Sequence, residues 1–135
     1  AEDWIDLKNK SFAILQQEAE LDEIVRLIGL DALSAENRLV METAKSIRED
    51  FLHQNAFHEI DTFSSKDKSY RILKLIVQFH HEAENALKRG VEIQNIIKLD
   101  IHEDIARLRY VPEDKAIEAA DKLSRDVTKT LEALV

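Results

Sequence analysis

The shortage of residues that break helices is the feature that most constrains how this 135-residue chain can fold. It contains only two glycines, Gly29 and Gly90, and one proline, Pro112, while 44% of its residues are hydrophobic. Turns between strands need frequent glycine, proline or asparagine, and no useful length of apolar and polar alternation occurs. The chain is therefore predicted to be all-α, and its length suits a single domain with one hydrophobic core.

Apolar residues recur every three or four positions along most of the chain, which is typical of amphipathic helices. In the first helix these residues are Trp4, Leu7, Ala13 or Ile14, Leu21, Ile24, Val25 and Ile28. A break in that helix is possible near residues 17–20. The predicted helices span about residues 3–28, 35–52, 66–89, 91–98 and 102–107, followed by a last helix with Pro112 in its first turn.

The stretch LIGLDALSAENRLV, residues 27–40, predicts a sharp corner between the first two helices. Gly29 can adopt the positive φ that ends a helix without steric cost. Ser34 can accept hydrogen bonds from the free N–H groups of a helix that starts at Ala35 or Glu36. These signals together predict a helix–loop–helix corner.

The third and last predicted helices differ in the width of their apolar faces. The third has a wide face, which predicts a long, central and buried helix. Its face comprises Tyr70, Leu73, Ile76, Val77, Ala83 and Leu87, widened by Ile72, Leu75, Phe79 and Ala86. The last helix has a narrow seam, predicted to face either the bundle or a partner helix. The seam comprises Ala116, Ala120, Leu123, Val127, Leu131 and Leu134.

Charge and composition exclude several classes of function. The net charge of −8 argues against a nucleic-acid surface, which needs clustered Lys and Arg. No apolar run approaches the roughly 20 residues of a membrane span, so direct membrane insertion is not expected. The chain has no cysteine, which excludes disulfides and thiolate zinc sites. It opens without methionine in an already helical pattern, which suggests either a processed product or a piece of a longer protein.

Motifs for metal binding or catalysis are missing from the sequence. The five histidines lie at positions 53, 58, 80, 81 and 102, and none forms the Glu-x-x-His or His-Glu-x-x-His spacing of a metal enzyme. A glycine-rich phosphate loop cannot form, because Gly29 and Gly90 are far apart. We therefore predict no metal site and no catalytic residue, and expect the many acidic pairs to form a solvated face.

The segment QNAFHEIDTF, residues 54–63, follows the end of the second predicted helix and combines amides with aromatic residues. Phe57 and Phe63 could plug the end of the bundle, and composition alone favours that interpretation. The alternative is a seat for a nucleobase, in which an aromatic ring covers adenine and the small Ala56 lets the base lie close.

Taken together, these stretches resemble the catalytic A subunit of archaeal and vacuolar-type rotary ATP synthases. The resemblance is carried by the stretch from EAELDEIVRLIGL to REDFLHQNAFHEID and continues through YRILKLIVQFHHEA and IARLRYVPED. It implies that residues 1–135 are the C-terminal helical domain of a larger subunit, whose barrel and nucleotide-binding domains are absent here.

The resemblance also implies two functional sites. The corner matches the acidic DELSEED tip of the related beta subunits, and its matching residues Asp31, Leu33, Ser34 and Glu36 would contact the rotor. Ala32, Ala35 and Asn37 replace acids of that motif, which favours steric pushing by a stiff corner over attraction between charges. At the second site, Ala56 and Phe57 would contact adenine, with Gln54 as a weaker contact.

For the complete subunit, the resemblance implies ATP or ADP bound with Mg²⁺, although no cofactor is expected for this chain alone. B subunits in an alternating hexamer, and the subunits of the central stalk, would be its partners. Its work would couple ATP synthesis or hydrolysis to rotation and to proton or other ion transport, in the cytoplasm at the membrane periphery. Two alternatives stay open: a free-standing adaptor that binds helices through the 116–134 seam, and a small metal-dependent bundle enzyme.

Overall fold

A computed structural model describes residues 3–52 and 66–134, and these residues form a helical bundle in which no strand occurs. The first helices are α1 (Trp4–Ile28), a 3₁₀ turn (Leu30–Ala32) and α2 (Ala35–Ser46), which continues as a π-helical turn (Ile47–Leu52). The later helices are α3 (Lys66–Lys88), α4 (Ile93–Ile97), α5 (Ile101–Arg107) with a 3₁₀ turn (Leu108–Tyr110), and α6 (Glu113–Glu132). The predicted all-α class is confirmed.

Three local features of the helices differ from the prediction. The break expected near residues 17–20 is wrong, because α1 runs without interruption through this Gln-Glu-Ala-Glu stretch of strong helix formers. The second helix keeps α-helical hydrogen bonds only to Ser46 and then widens into the π-helical turn. Pro112 flanks α6 in an extended conformation, with φ −56° and ψ 146°, instead of lying within its first turn.

Helix α3 is the centre of the bundle, as its wide apolar face predicts. It packs against α1, α2 and α6. Ile72, Leu73, Ala83 and Ala86 are completely inaccessible to solvent. Such close packing resists deformation, because a core at crystalline density has few voids into which side chains can move.

The apolar seam of α6 lies against α3. Ala116, Ala120, Val127 and Leu131 are buried, and Leu123 and Leu134 are partly buried against the same core. Because α6 packs mainly against α3 and most of this seam is buried there, the structure does not favour the adaptor hypothesis, which requires a free seam.

Polar contacts add to the packing between α3 and α6. The Gln78 amide donates to the Ser124 carbonyl at 3.0 Å, and the Ser124 hydroxyl donates to Gln78 Oε1 at 2.8 Å. One turn further along, the Thr128 hydroxyl donates to Glu82 Oε1 at 3.0 Å. Partly buried hydrogen bonds of this kind fix the register of two helices, since a shift would leave their polar groups unpaired.

The start of α1 is tied to the beginning of α3. The Tyr70 hydroxyl donates to Asp3 Oδ1 at 2.7 Å, and Lys74 Nζ donates to Tyr70 Oη at 3.1 Å. The Trp4 and Tyr70 rings meet edge to face with centroids 5.9 Å apart. The Tyr70 hydrogen bond is the main cause that lowers the pKa of Asp3, and the nearby Lys74 ammonium makes a smaller contribution in the same direction. This cluster fixes the direction in which α1 leaves the bundle.

Candidate functional site: the corner between the first two helices

The corner between α1 and α2 extends beyond the hydrophobic core. Leu21 is the last buried residue of α1, and Leu39 is the first buried residue of α2. None of the residues between them is buried. The corner can therefore contact another molecule without any loss of core packing.

Gly29 creates the break at the end of α1 through its backbone conformation. Its φ of 91° and ψ of 160° lie in a region that is essentially restricted to glycine. Its N–H donates to the Val25 carbonyl at 2.9 Å. A Cβ placed on Gly29 would meet no atom within 4 Å, so the requirement for glycine comes from the backbone angles and not from lack of space. The predicted positive φ is confirmed.

The second half of the corner is held by a short turn and a helix cap. The N–H of Leu33 donates to the Leu30 carbonyl at 3.1 Å and closes the 3₁₀ turn. The side chain of Ser34 then accepts a hydrogen bond from the Asn37 N–H at 3.2 Å. This cap satisfies one of the free donors at the start of α2. Both the predicted cap and the predicted helix start at Ala35 are confirmed.

The four residues that the resemblance assigns to the rotor contact differ in accessibility. Asp31, Ser34 and Glu36 are exposed, and the Asp31 side chain is fully so. Leu33 is partly buried and packs against the core. Three of the four can therefore meet a partner, whereas Leu33 attaches the corner to the bundle.

Arg38 lies beneath the corner and was not anticipated from the sequence. Its side chain is only 17% exposed, and its Nη1 lies 3.8 Å from Asp31 Oδ1. Its buried Nε has no hydrogen-bond partner among the described residues. An ion pair with a fully exposed carboxylate contributes little stability, so Arg38 supports the turn mainly by filling space beneath it.

Three large apolar residues at the end of α1 are exposed to solvent. Leu27 is 84% exposed, Ile28 is 66% exposed and Ile24 is 41% exposed. Their helical spacing follows the apolar stripe of α1, so sequence periodicity groups Ile24 and Ile28 with core residues. The structure separates them from the core, because the bundle ends before the helix does.

The second predicted site lies outside the described ranges. Gln54, Ala56 and Phe57, together with Phe63, fall in residues 53–65. The described chain approaches this segment through the π-helical turn, where Arg48 forms an ion pair with Glu18 of α1. The contact between these residues and adenine stays a prediction.

Two of the three described histidines, His80 and His102, occupy structural positions, whereas His81 is exposed. His80 Nδ1 lies 2.6 Å from the Thr43 hydroxyl, and burial lowers the pKa of His80. His102 Nε2 lies 3.1 Å from the Ile96 carbonyl, and its ring packs on Phe79. In residues 3–52 and 66–134 no three His, Asp or Glu side chains are grouped to bind a metal ion. His53 and His58 lie outside these ranges.

A helix that spans a membrane needs a minimum length and hydrophobicity. None of the helices in residues 3–52 and 66–134 has a stretch long and apolar enough to span a lipid bilayer.

The helical bundle and its exposed corner are consistent with one known family of helical domains. Residues 1–97 match the family described as the C-terminal domain of V and A type ATP synthase. Because this match covers more than half of the chain, the chain belongs to that family.

Similar proteins carry the name V-type ATP synthase alpha chain. One from Thermoanaerobacter pseudethanolicus is 51% identical over 133 residues, which cover 98% of this chain and 22% of that protein. One from Clostridium tetani, named alpha chain 1, is 50% identical over 135 residues, which cover 100% of this chain and 23% of that protein. One from Acetivibrio thermocellus is 49% identical over 133 residues and covers 98% and 23%.

These comparisons also bear on the extent and the origin of the chain. The chain spans 22–23% of the length of these three curated relatives. All three relatives come from bacteria, so the word archaeal in the resemblance is not supported for this chain.

Proposed function

We propose that residues 1–135 are the C-terminal coupling domain of the catalytic A subunit, or alpha chain, of a V/A-type ATP synthase. In this role the domain links ATP synthesis or hydrolysis in an upstream nucleotide-binding domain to rotation of a central stalk and to ion transport. The observation that carries the proposal is the exposed, stiffened corner, which ends a helix that is otherwise packed into the bundle. Family membership and the names of the relatives support it.

The continuity of α1 supports a mechanical role. Its 25 residues correspond to a length of about 37 Å at 1.5 Å per residue. One end is tied to α3 through Tyr70, and the other end leads into the corner. A rotation imposed on the bundle is therefore transmitted to the corner as a rigid-body movement, because the packed core does not deform gradually.

The corner acts on the rotor through its shape. Asp31 and Glu36 are the exposed acids of the corner turn and the first turn of α2. Salt screens the interactions of exposed charges over about 8 to 10 Å. Two such charges therefore give only a weak electrostatic attraction to the rotor. Ser34 and Gly29 instead give the turn a defined geometry that can push against a neighbouring surface.

The adenine contact belongs to the same proposal. Gln54, Ala56 and Phe57 lie at the edge of ATP or ADP, which is bound with Mg²⁺ by upstream residues of the complete subunit. B subunits alternate with this subunit in a hexamer on the cytoplasmic side, peripheral to the membrane. The chain alone has no ATPase activity, because the groups that act on the phosphates lie upstream.

Lengthening the corner tests the coupling role. A Gly-Ser pair inserted after Ala32 in the complete subunit breaks the 3₁₀ turn, so the assembled complex should hydrolyse ATP without driving rotation. Simultaneous measurement of ATP turnover and single-molecule rotation gives the result. Ala32→Ser changes this exposed position but not the length of the turn, and it should leave coupling intact. Full coupling in the insertion variant would contradict the proposal.

The adenine contact has a separate test. Phe57→Ala in the complete subunit should weaken ATP binding by about 0.5 to 1.5 kcal/mol through lost ring stacking. Titration calorimetry with ATP and with inorganic triphosphate separates the base from the phosphates, since only the affinity for ATP should fall. Equal affinity for ATP in the variant and the parent would rule out stacking by Phe57.

A further inference from the structure

The exposed apolar residues at the end of α1 form a single surface, which we call the apolar tip: Ile24, Leu27 and Ile28. Spacings of three and four residues place these side chains next to one another on a helix. Their exposed fractions are the largest of any apolar group clustered within one turn among the described residues. Single exposed apolar residues need no explanation, but a cluster at a projecting end marks a contact surface.

Among residues 3–52 and 66–134, none covers the apolar tip. Leu7, Ile14 and Leu21 are buried at intervals of seven residues along α1. Ile28 continues this interval by one further step, yet it is largely exposed, because no described part of the chain lies beneath it. The pattern of a buried helix thus extends past the described bundle, and another molecule can supply the surface that would cover it.

The position of the apolar tip favours a separate chain as that molecule. The family is described as a C-terminal domain, and the relatives are more than four times as long as this chain. From that description we infer that their additional residues precede the start of α1. That start is held against α3 by Trp4 and Tyr70. The apolar tip lies at the opposite end of α1, about 30 to 36 Å from Trp4 along the helix axis.

Acidic residues border the apolar tip and define the chemistry of its partner. Glu20 and Glu23 are exposed one turn before Ile24 and Leu27, and Asp31 is exposed just after Ile28. The one basic residue in this stretch, Arg26, is already paired with Asp22 at 2.9 Å. A complementary surface therefore presents apolar side chains in its centre and lysine or arginine around them.

We propose that the apolar tip is the main contact of this domain with the central stalk, and that it seats on an apolar strip of a stalk helix bordered by basic side chains. This inference rests on the proposed coupling function and makes the contact with the stalk mainly apolar instead of charged. The principal contact moves from the turn and α2 residues Asp31 and Glu36 to the last turn of α1. Burial of apolar surface supplies the affinity, and the bordering charges steer the encounter.

Two matched double variants of the complete A subunit test this assignment. The first, Leu27→Asn with Ile28→Asn, removes the apolar surface. The second, Asp31→Asn with Glu36→Gln, removes the charges. Each is assembled with B subunits, and binding of the purified central stalk is measured by surface plasmon resonance at low and high salt. Leu27→Met retains apolar surface at the same position and serves as the conservative control.

We expect the apolar variant to bind the stalk at least about tenfold more weakly at both salt concentrations, because apolar burial is not screened by salt. The charge variant should lose no more than about threefold, and only at low salt, through slower association. Leu27→Met should bind like the parent. Since the substituted residues are exposed, thermal unfolding of the 135-residue chain should not change in any variant.

Every other outcome overturns the inference, and the outcomes separate it from the proposed function. If the charge variant weakens binding as much as the apolar variant or more, the corner contacts the stalk mainly through charge, and the coupling function stands. If neither variant weakens binding but the Gly-Ser insertion uncouples rotation, the contact lies elsewhere on the corner. If neither variant weakens binding and the insertion also leaves coupling intact, both the inference and the coupling function fail.

Discussion

The α3–α6 interface and the corner are built in opposite ways. Along α3 and α6, side chains such as Leu73 and Val127 are completely buried. Between Leu21 and Leu39, no residue is buried at all. Stability is therefore concentrated in the first region and accessible surface in the second. A domain organised in this way can change its contact surface without weakening its fold.

The two regions also obtain their rigidity from different sources. The interface is rigid because side chains interdigitate and because Gln78 and Glu82 of α3 form hydrogen bonds with α6. The corner has little packing, so its shape depends on its backbone: the glycine conformation at position 29 and the cap at Ser34. Substitutions in the two regions should therefore act through different terms and with different magnitudes.

Truncation of a buried side chain at the interface should give the largest effect. Leu73 has no exposed surface, so Leu73→Ala should lower the free energy of unfolding by about 2 to 5 kcal/mol through lost burial and the cavity left behind. Urea unfolding of the 135-residue chain measures this change. Ile117, which is 49% exposed on α6, provides the control, and Ile117→Ala should cost no more than about 0.5 kcal/mol. Equal stability of the two variants would invalidate the core assignment.

An added methyl group at the corner should have a smaller effect. Gly29→Ala meets no steric obstacle, but it forces alanine into a backbone region that costs about 1 to 3 kcal/mol. The same urea titration measures the loss, and Ala32→Ser, at an exposed position of the same turn, should leave stability unchanged. A fully stable Gly29→Ala chain would mean that the corner can relax to another conformation, and its stiffness would then be disproved.

The smallest expected effect is a pH dependence of the folding stability that comes from one buried histidine, His80. Burial lowers the pKa of His80 below its ordinary value of 6.5, so the unfolded chain takes up a proton at a higher pH than the folded chain. Stability should therefore be fully present above 6.5 and should fall as the pH drops through 6.5 towards the lower folded value.

His80→Gln should flatten this dependence, because glutamine can still meet Thr43 but does not titrate. His81→Gln is the matched control, since that neighbouring side chain is exposed, and it should preserve the dependence. Chemical denaturation between about pH 5.5 and pH 7.5 brackets the ordinary titration range of histidine. An unchanged slope in His80→Gln would exclude this histidine as its source.

Much of this architecture could be predicted from the sequence because helix signals are local. The positive φ of Gly29, the cap at Ser34 and the apolar face of α3 each depend on residues within a few positions. The absence of a break at residues 17–20 could also have been anticipated, since Gln, Glu and Ala are strong helix formers.

The features that sequence reasoning missed depend on tertiary packing, including where the bundle ends. The periodicity of apolar residues carries no information about this. Ile24 and Ile28 have the spacing of core residues but lie beyond the supporting helices. The sequence allowed the seam of α6 to face either the bundle or a partner helix, and only the tertiary packing assigns it to α3. Arg38 gave no signal, because its role comes from a turn seven residues before it in the chain. Gln54, Ala56 and Phe57 rest on resemblance alone.

We expect the core and the corner to move as one rigid body. A pair of spin labels at Ala32→Cys in the corner and Lys88→Cys at the end of α3 tests this expectation in the assembled complex. Both positions are exposed. Pulsed electron paramagnetic resonance gives the distance between the labels without nucleotide, with ADP and with a non-hydrolysable ATP analogue. We predict one narrow distance that changes by no more than about 2 Å among the three states. A larger shift, or a distribution that broadens with nucleotide, would show that the domain bends internally and would contradict the rigid-body account.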